Sequence, residues 1–162
     1  FLPFQANKEI FLFSDIEDAV QSGRVNAGVI IHENRFTYEK KGLVCLQDLG
    51  QYWEEQSGHP IPLGGIVCRK DLEVRMAHQV EELIRLSIRY AYEHEEEVMS
   101  YVRLHAQEMN DQVTRQHISL YVNHFSENLG PSGRDAITAL FAEAVRQNRI
   151  HSYQNPFLPG NL

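Results

Sequence analysis

Two short apolar runs, followed by a long stretch of helical periodicity, limit most strongly what this chain can fold into. Residues 25–31 (VNAGVII) and 63–68 (LGGIVC) are too short for helices and are typical of buried parallel strands. After Asp71 the apolar residues follow the three-four spacing of amphipathic helices. Two strands make a poor sheet, because strands need neighbours that cover their faces. We therefore expect an α/β chain that is helix-rich after residue 71 and is part of a larger structure.

Short helices are predicted before and between the two runs. Ser14 and Glu17 have the spacing of a capping box, so a helix should follow through about residue 22 and end at Gly23. Asp48 is a suitable N-cap for a second helix, which Gly58 should close. These signals predict a strand and helix alternation up to residue 71.

Four helices are predicted after Asp71. The first carries an apolar face from Val80 to Ala91, and the second begins with three glutamates, where carboxylates suit the helix dipole. The third should be capped by Asn110 or Asp111 and extend through Phe125. Ser132 should cap the fourth, and the chain from Gln154 onward should be irregular.

Charge and composition exclude several classes of protein. The 162 residues include 15 Lys plus Arg and 22 Asp plus Glu, a net charge of −7, with no basic stripe for nucleic acid or an anionic membrane. A hydrophobic content of 43% excludes a disordered or fibrous chain. No apolar run approaches the ~20 residues of a membrane helix. A first residue of Phe1 instead of Met indicates a piece of a longer polypeptide.

The two cysteines indicate a reducing compartment. Cys45 and Cys68 have no CxxC spacing and no metal-ligand partner in the sequence, so we expect free, buried, structural thiols and a cytoplasmic protein. No disulfide framework is predicted.

His32 and Glu33 are the first candidates for chemistry. They follow the first predicted strand, and ligands of open α/β sheets bind beyond the carboxyl ends of strands. A histidine there can exchange a proton near neutral pH, with Glu33 orienting it. The alternative is a polar strand end with a satisfied imidazole.

The remaining polar motifs give weaker signals. Gly64-Gly65 is either a turn with positive φ or a point where the backbone approaches a ligand, and it matches no phosphate-loop pattern. His117 and His124 share a face of one predicted helix, but no carboxylate or cysteine completes a metal site there. His94 is predicted to lie in a solvated helix junction. His78 has no partner in the sequence at a spacing useful for chemistry.

Several motifs in order resemble the 1,4-dihydroxy-6-naphthoate synthase family of the futalosine route to menaquinone. The resemblance rests on these segments: residues 27–38 (AGVIIHENRFTY), 48–50 (DLG), 53–55 (WEE), 60–65 (PIPLGG), 87–91 (SIRYA), 105–108 (HAQE) and 121–126 (YVNHFS). The combination is highly specific, although each piece alone is weak.

The resemblance implies the fold of type II periplasmic binding proteins, with two α/β lobes and a ligand cleft between them. Residues 1–62 would then be the remainder of the second lobe, and residues 63–153 a crossover strand with the carboxyl-terminal helices that return to the first lobe. Residues 154–162 would be an irregular tail. A chain of only these residues would lack most of the first lobe and one wall of the cleft, so we expect it not to turn over substrate.

The resemblance also implies an activity and its residues. The family converts cyclic dehypoxanthinyl futalosine to 1,4-dihydroxy-6-naphthoate, a carbon–carbon lyase reaction that uses no metal or redox cofactor. The family's general base maps onto His32. Glu33, Arg35, Gly64 and Gly65 are candidate substrate-binding residues, and Arg35 either contacts the substrate carboxylate or pairs with Glu33. The alternatives are a solute-binding protein of the same fold, the related chorismate dehydratase, or a fragment with no function of its own.

Overall fold

The computed structural model describes residues 7–31, 33–106 and 110–159 and consists of helices joined by turns and irregular segments. The α-helices are α1 (Ile16–Gln21), α2 (Leu49–Ser57), α3 (Val74–Glu93), α4 (Glu95–His105), α5 (Asp111–Tyr121), α6 (His124–Glu127) and α7 (Gly130–Arg146). Short 3₁₀ turns cover Phe13–Asp15, Glu33–Phe36 and Tyr38–Lys41. The predicted helix-rich character after residue 71 is confirmed.

The first short helix forms where it was predicted, but it is not capped as predicted. The Ser14 hydroxyl bonds to the carboxylate of Asp15 at 2.6 Å instead of a backbone N–H. Glu17 is buried and pairs with Lys41 at 2.9 Å, so it does not reach back to the cap. The capping-box prediction is therefore wrong, because a tertiary ion pair takes Glu17. Gly23 ends the helix region at φ +72°, as predicted.

Helix α2 has both of its predicted ends. Asp48 Oδ1 accepts hydrogen bonds from the backbone N–H groups of Gly50 and Gln51 at 2.8 and 3.1 Å. Gly58 adopts the left-handed conformation at the other end, with φ +71°. A side-chain acceptor and a glycine therefore satisfy both ends of this helix locally.

In the carboxyl-terminal region the predicted helices form with two changed boundaries. Asn110 is the N-cap of α5, and its Oδ1 accepts from Gln112 N at 2.9 Å and Val113 N at 3.2 Å. The predicted third helix does not continue to Phe125, because Asn123 caps a new short helix through Phe125 N at 3.0 Å.

The start of α7 also differs from the prediction. Helix α7 begins at Gly130 instead of after Ser132. Asn128 Oδ1 accepts from Gly130 N at 3.0 Å, and Pro131 occupies the first turn, where its missing N–H costs nothing.

The two apolar runs have no regular secondary structure and form no strand within the described residues. No hydrogen bond joins the backbone of residues 60–68 to another described residue, and the same holds for residues 27–31. A strand requires a neighbour to complete its ladder, and the described part of the chain provides none. The α/β sheet therefore remains a prediction.

The described core is small and lies among the helices. Its buried apolar side chains are Ala19, Ala77, Met99, Val113 and Ala136. Helix α3 packs against α6, where Arg89 pairs with Glu127 and the Tyr92 hydroxyl donates to the carbonyl of Val122 at 2.6 Å. Most of the interior is thus formed by helix-to-helix packing.

Two further expectations concern the chain surface. Cys45 and Cys68 are free, as predicted, but both are exposed, so the prediction of buried thiols is wrong. The described residues from Gln154 onward are irregular, as predicted. In the described chain, no helix combines the length and apolar character needed to span a bilayer.

Candidate functional site

The predicted catalytic motif lies where the first extended segment meets two 3₁₀ turns. Residues 27–31 have no regular secondary structure, and the turns Glu33–Phe36 and Tyr38–Lys41 follow in the sequence. His32 and the side chain of Glu33 lie outside the described part of the structure. The surroundings of the motif are therefore defined by Arg35, Phe36 and the elements that contact them.

Arg35 joins the first turn to the N-terminus of α2. Its Nη2 lies 2.9 Å from Oδ2 of Asp48, and both side chains are partly exposed. The other carboxylate oxygen of Asp48 caps α2, so one residue both begins the helix and fixes the turn. Arg35 thus forms an ion pair with Asp48, a contact that no sequence pattern predicted.

The second turn is fixed to α1. Lys41 Nζ lies 2.9 Å from Glu17 and 3.0 Å from Asp18. These carboxylates hydrogen-bond the ammonium group and raise the pKa of Lys41 above its usual value. The pKa of Tyr38 is also raised, first by desolvation and then by the neighbouring carboxylate of Glu39. Both ends of the motif are thus held by pairs distant in sequence.

An open cavity of about 660 Å³ lies between the first turn and α5. Phe36 lines it on one side, and α5 contributes Gln112, Arg115, Gln116, Ser119 and Leu120. The apolar face of α5 gave no indication of this wall. The signal was present, because Gln112, Gln116 and Ser119 follow the i, i+4, i+7 spacing of one helix face.

Arg115 places a positive charge in that wall. Its guanidinium pairs with Glu95 and lies 3.4 Å from Glu96, both in the first turn of α4. The lining of this open cavity therefore combines amide and hydroxyl side chains and a paired cation with the apolar side chains of Phe36 and Leu120.

The Gly64-Gly65 motif follows Ile61, which lies near the N-terminus of α2, the helix that Asp48 caps. A Cβ built on Gly50, in the first turn of α2, would lie 3.5 Å from the Ile61 side chain. Gly64 and Gly65 follow in exposed chain, and no heavy atom lies within 4 Å of a Cβ placed on either. Neither has positive φ, so the predicted turn is wrong, and the alternative of a backbone approach to a ligand stays a prediction.

The described histidines do not form a metal centre. His117 lies on α5 and packs against Tyr121, whereas His124 begins α6. The prediction that the two histidines share a face of one helix is therefore wrong. His94 lies at the junction of α3 and α4, as predicted. Within the described residues no group of three or more His, Cys, Asp or Glu side chains is placed to hold a metal ion.

His78 has two partners, contrary to the prediction. Its Nδ1 lies 3.2 Å from Glu81, and its Nε2 lies 2.9 Å from the carbonyl of Pro159. The hydrogen bond with Glu81, followed by that with Pro159, raises the pKa of His78 above 6.5. The second partner is 81 positions away in sequence, which no local pattern could reveal.

Comparison with known proteins gives a consistent result. A family model described as menaquinone biosynthesis matches residues 4–146, a range that contains the candidate motif. A curated 1,4-dihydroxy-6-naphthoate synthase from Thermus thermophilus is 49% identical over 125 residues, which cover 77% of this chain and 46% of that protein. A synthase of the same name from Streptomyces coelicolor is 43% identical over 138 residues, covering 85% and 49%.

A solved structure is also similar. A crystal structure of an Archaeoglobus fulgidus protein matches with a TM-score of 0.78 and 32% identity, covering 86% of this chain and 53% of that one. The chain therefore spans about half the length of each of these relatives.

Proposed function

The chain belongs to the menaquinone biosynthesis family, and from that premise we propose that it supplies part of a 1,4-dihydroxy-6-naphthoate synthase. The observation that carries this proposal is 43–49% identity to two synthases of that name over most of the chain. Because both named relatives are synthases, an enzyme is favoured over a solute-binding protein of similar fold.

The proposed reaction converts cyclic dehypoxanthinyl futalosine to 1,4-dihydroxy-6-naphthoate and releases the sugar remainder as dihydroxyacetone. A proton must leave the sugar-derived ring system so that a carbon–carbon bond can break and the product can become aromatic. The protein would thus be a carbon–carbon lyase of the futalosine route, acting in the cytoplasm on a small-molecule substrate. The proposal includes no metal and no redox cofactor.

His32 is the proposed general base. In the sequence it precedes the turn Glu33–Phe36, and Arg35 of that turn pairs with Asp48 at the start of α2. A neutral imidazole there accepts the substrate proton, and general-base help of this kind contributes about 10²–10⁴-fold. Glu33 is proposed to orient the imidazole.

Arg35 is proposed to bind the substrate carboxylate. The ion pair with Asp48 restricts the guanidinium and so lowers the entropy cost of the second contact. Gly64 and Gly65 are proposed to let the backbone approach the ligand, because no heavy atom of the described chain fills the space where their side chains would be.

The proposed architecture is the two-lobed fold of type II periplasmic binding proteins. The apolar runs 25–31 and 63–68 would be strands of that fold, and the ligand would lie in the cleft between the lobes. Support comes from the length of the relatives, of which this chain matches 46–49%. The chain alone would provide one wall of the cleft.

The test uses a chimera in which this chain replaces the matching region of the Thermus thermophilus synthase. We expect the chimera to convert cyclic dehypoxanthinyl futalosine to 1,4-dihydroxy-6-naphthoate, followed by chromatography and mass spectrometry. It should not convert chorismate. The chain alone should give no product, because half of the relatives' length is missing.

His32→Asn in the chimera should lower the rate of product formation by about 10²–10⁴-fold without changing substrate affinity. His94→Asn is the matched control, because His94 lies at the junction of α3 and α4, and it should leave the rate unchanged. A His32→Asn chimera that turns over as fast as its parent would remove His32 as the base.

A further inference from the structure

Helix α1 contacts the chain on both sides of His32 in the sequence. The run that precedes His32 turns back onto α1, where the backbone N–H of Val25 donates to the carbonyl of Ala19 at 3.2 Å. The turn Tyr38–Lys41, which follows His32, contacts the same helix. The candidate base therefore belongs to a segment that is attached to α1 before it and after it.

The attachment before His32 requires a residue without a side chain. A Cβ built on Gly28 would lie 2.4 Å from Cγ2 of Ile16 and 3.3 Å from Cγ2 of Val20, and real Cβ contacts are almost never shorter than 3.0 Å. Cγ2 of Ile16 is bonded directly to Cβ, and a β-branched side chain in a helix has one strongly preferred rotamer, so it cannot move aside cheaply. A larger residue at position 28 would therefore push this run away from α1.

The attachment after His32 is an ion pair with a buried carboxylate. Glu17 is 3% exposed, and its Oε2 lies 2.9 Å from Nζ of Lys41. Its Oε1 is buried as well and has no hydrogen-bond partner in the described part of the chain. A buried carboxylate is costly unless it is paired, so Glu17 depends strongly on Lys41. Gln21 adds a second contact, since its Nε2 donates to the carbonyl of Lys41 at 2.6 Å.

The neighbouring Asp18 provides an internal comparison. Its carboxylate lies 3.0 Å from the same Nζ of Lys41, but its side chain is 71% exposed. Exposed ion pairs contribute little, because water and salt screen them and both side chains lose entropy. The buried partner of Lys41 is therefore the one expected to hold the turn on α1.

We propose that α1 positions the candidate base, with Gly28 and Glu17 as positioning residues that fix the two ends of the segment carrying His32. The inference rests on the proposed function, because it takes His32 as the general base. A general base must lie within hydrogen-bond reach of the proton that it accepts, and a displacement of about 1 Å can cost about 100-fold in rate. Loosening either end should therefore lower kcat more than it changes substrate binding.

The first test exchanges side-chain size between Gly28 and Ile16 in the chimera with the Thermus thermophilus synthase. Gly28→Ala should lower kcat by about 100-fold and change KM by less than about threefold. Ile16→Ala alone should change kcat by less than about threefold. In the double variant the new Cβ no longer meets Cγ2 of Ile16, so most of the lost rate should return.

The second test compares two neighbouring carboxylates that contact the same ammonium group. Glu17→Gln keeps the size of the side chain but removes its charge, and it should lower kcat by about tenfold with little change in KM. Asp18→Asn is the matched control and should lower kcat by less than about twofold, because Asp18 is exposed.

Hydrogen exchange of the chain itself gives a readout that needs no activity. Gly28→Ala should accelerate exchange of the Val25 amide, which bonds to α1, by at least about tenfold. Glu17→Gln should do the same for the amides of Gly42 and Leu43, which close the turn Tyr38–Lys41. The amides of α7 should not change in either variant, which distinguishes local loosening from global unfolding.

Several outcomes would overturn the proposal. With an active parent chimera, these are an unchanged kcat in Gly28→Ala and Glu17→Gln, equal losses for Glu17→Gln and Asp18→Asn, or no recovery on adding Ile16→Ala. Accelerated exchange throughout α7 would reduce both residues to a general role in stability. An inactive parent chimera would count against the proposed function, and unchanged exchange in the variants would then overturn the attachment to α1 independently.

Discussion

Backbone hydrogen bonds are satisfied differently in the two parts of the molecule, the amino-terminal part up to residue 71 and the helical part after it. In the helical part the backbone N–H groups within each helix bond to acceptors four residues away, and Asn110 and Asn123 cap the starts of α5 and α6. In the first part no hydrogen bond joins the backbone of residues 27–31 or 63–68 to another described residue. A helix can therefore be complete within one chain, whereas a strand depends on a neighbour.

The two parts of the molecule also make different contributions to the candidate site. The turns from Glu33 to Lys41 belong to the first part, and ion pairs of Arg35 with Asp48 and of Lys41 with Glu17 hold them in place. The helical part contributes a wall of the open cavity beside Phe36 through Gln112, Gln116 and Ser119.

The largest expected effect comes from truncating matched apolar side chains in the two parts. Met99→Ala removes a side chain that is 2% exposed in the helical core, and it should lower the free energy of unfolding by about 2–5 kcal/mol. Ile66→Ala, at a position 77% exposed, should change it by less than about 0.5 kcal/mol. Urea unfolding followed by circular dichroism measures both. Equal losses for the two variants would contradict the division into a packed and an uncovered part.

A smaller effect is expected from removing the helix caps. Asp48→Ala removes the cap of α2 together with the ion pair to Arg35, and should cost about 1–2 kcal/mol. Asn110→Ala removes the side-chain cap of α5 in the helical part and should cost about 1 kcal/mol.

Asp48→Asn separates the two roles of Asp48. It keeps the cap and weakens the ion pair, which is partly exposed, so its cost should stay below about 1 kcal/mol. Urea unfolding of the three variants gives the comparison. If Asp48→Asn destabilises the chain as much as Asp48→Ala does, the ion pair and not the cap holds this region.

The smallest effect is pH-dependent and concerns the attachment of the tail to α3. Glu81 and the Pro159 carbonyl raise the pKa of His78 above 6.5, so the charged form is favoured in the folded chain. The resulting stabilisation is complete below about pH 6.5 and is lost as the pH rises through the raised pKa.

NMR titration of the His78 ring should give a pKa above 6.5, and Glu81→Gln should lower it. The midpoint of urea unfolding should differ between wild type and Glu81→Gln at pH 6 but converge at pH 9. A His78 pKa below 6.5 in the wild type would show that desolvation outweighs both hydrogen bonds.

Several features of the fold were predictable because their causes are local. The cap at Asp48, the left-handed Gly58 and the acidic first turn of α4 all depend on residues within one helix turn. The break between α5 and α6 was missed because Asn123 was read as part of a continuous apolar pattern, although its side chain competes for backbone N–H groups. The family resemblance could also be recognised from the sequence, because its motifs are continuous segments.

The remaining features depend on contacts between distant residues. Asp48 meets Arg35 across 13 positions, Glu17 is captured by Lys41 instead of capping α1, and His78 meets Pro159 across 81 positions. The sequence by itself determined most of the helices, the caps at Asp48 and Asn110 and the family resemblance, because hydrogen bonding and periodicity within a helix act over a few residues. Only the tertiary structure decided which charges pair, which apolar faces are covered and which runs stay open, because those outcomes require a partner that the local chain does not contain.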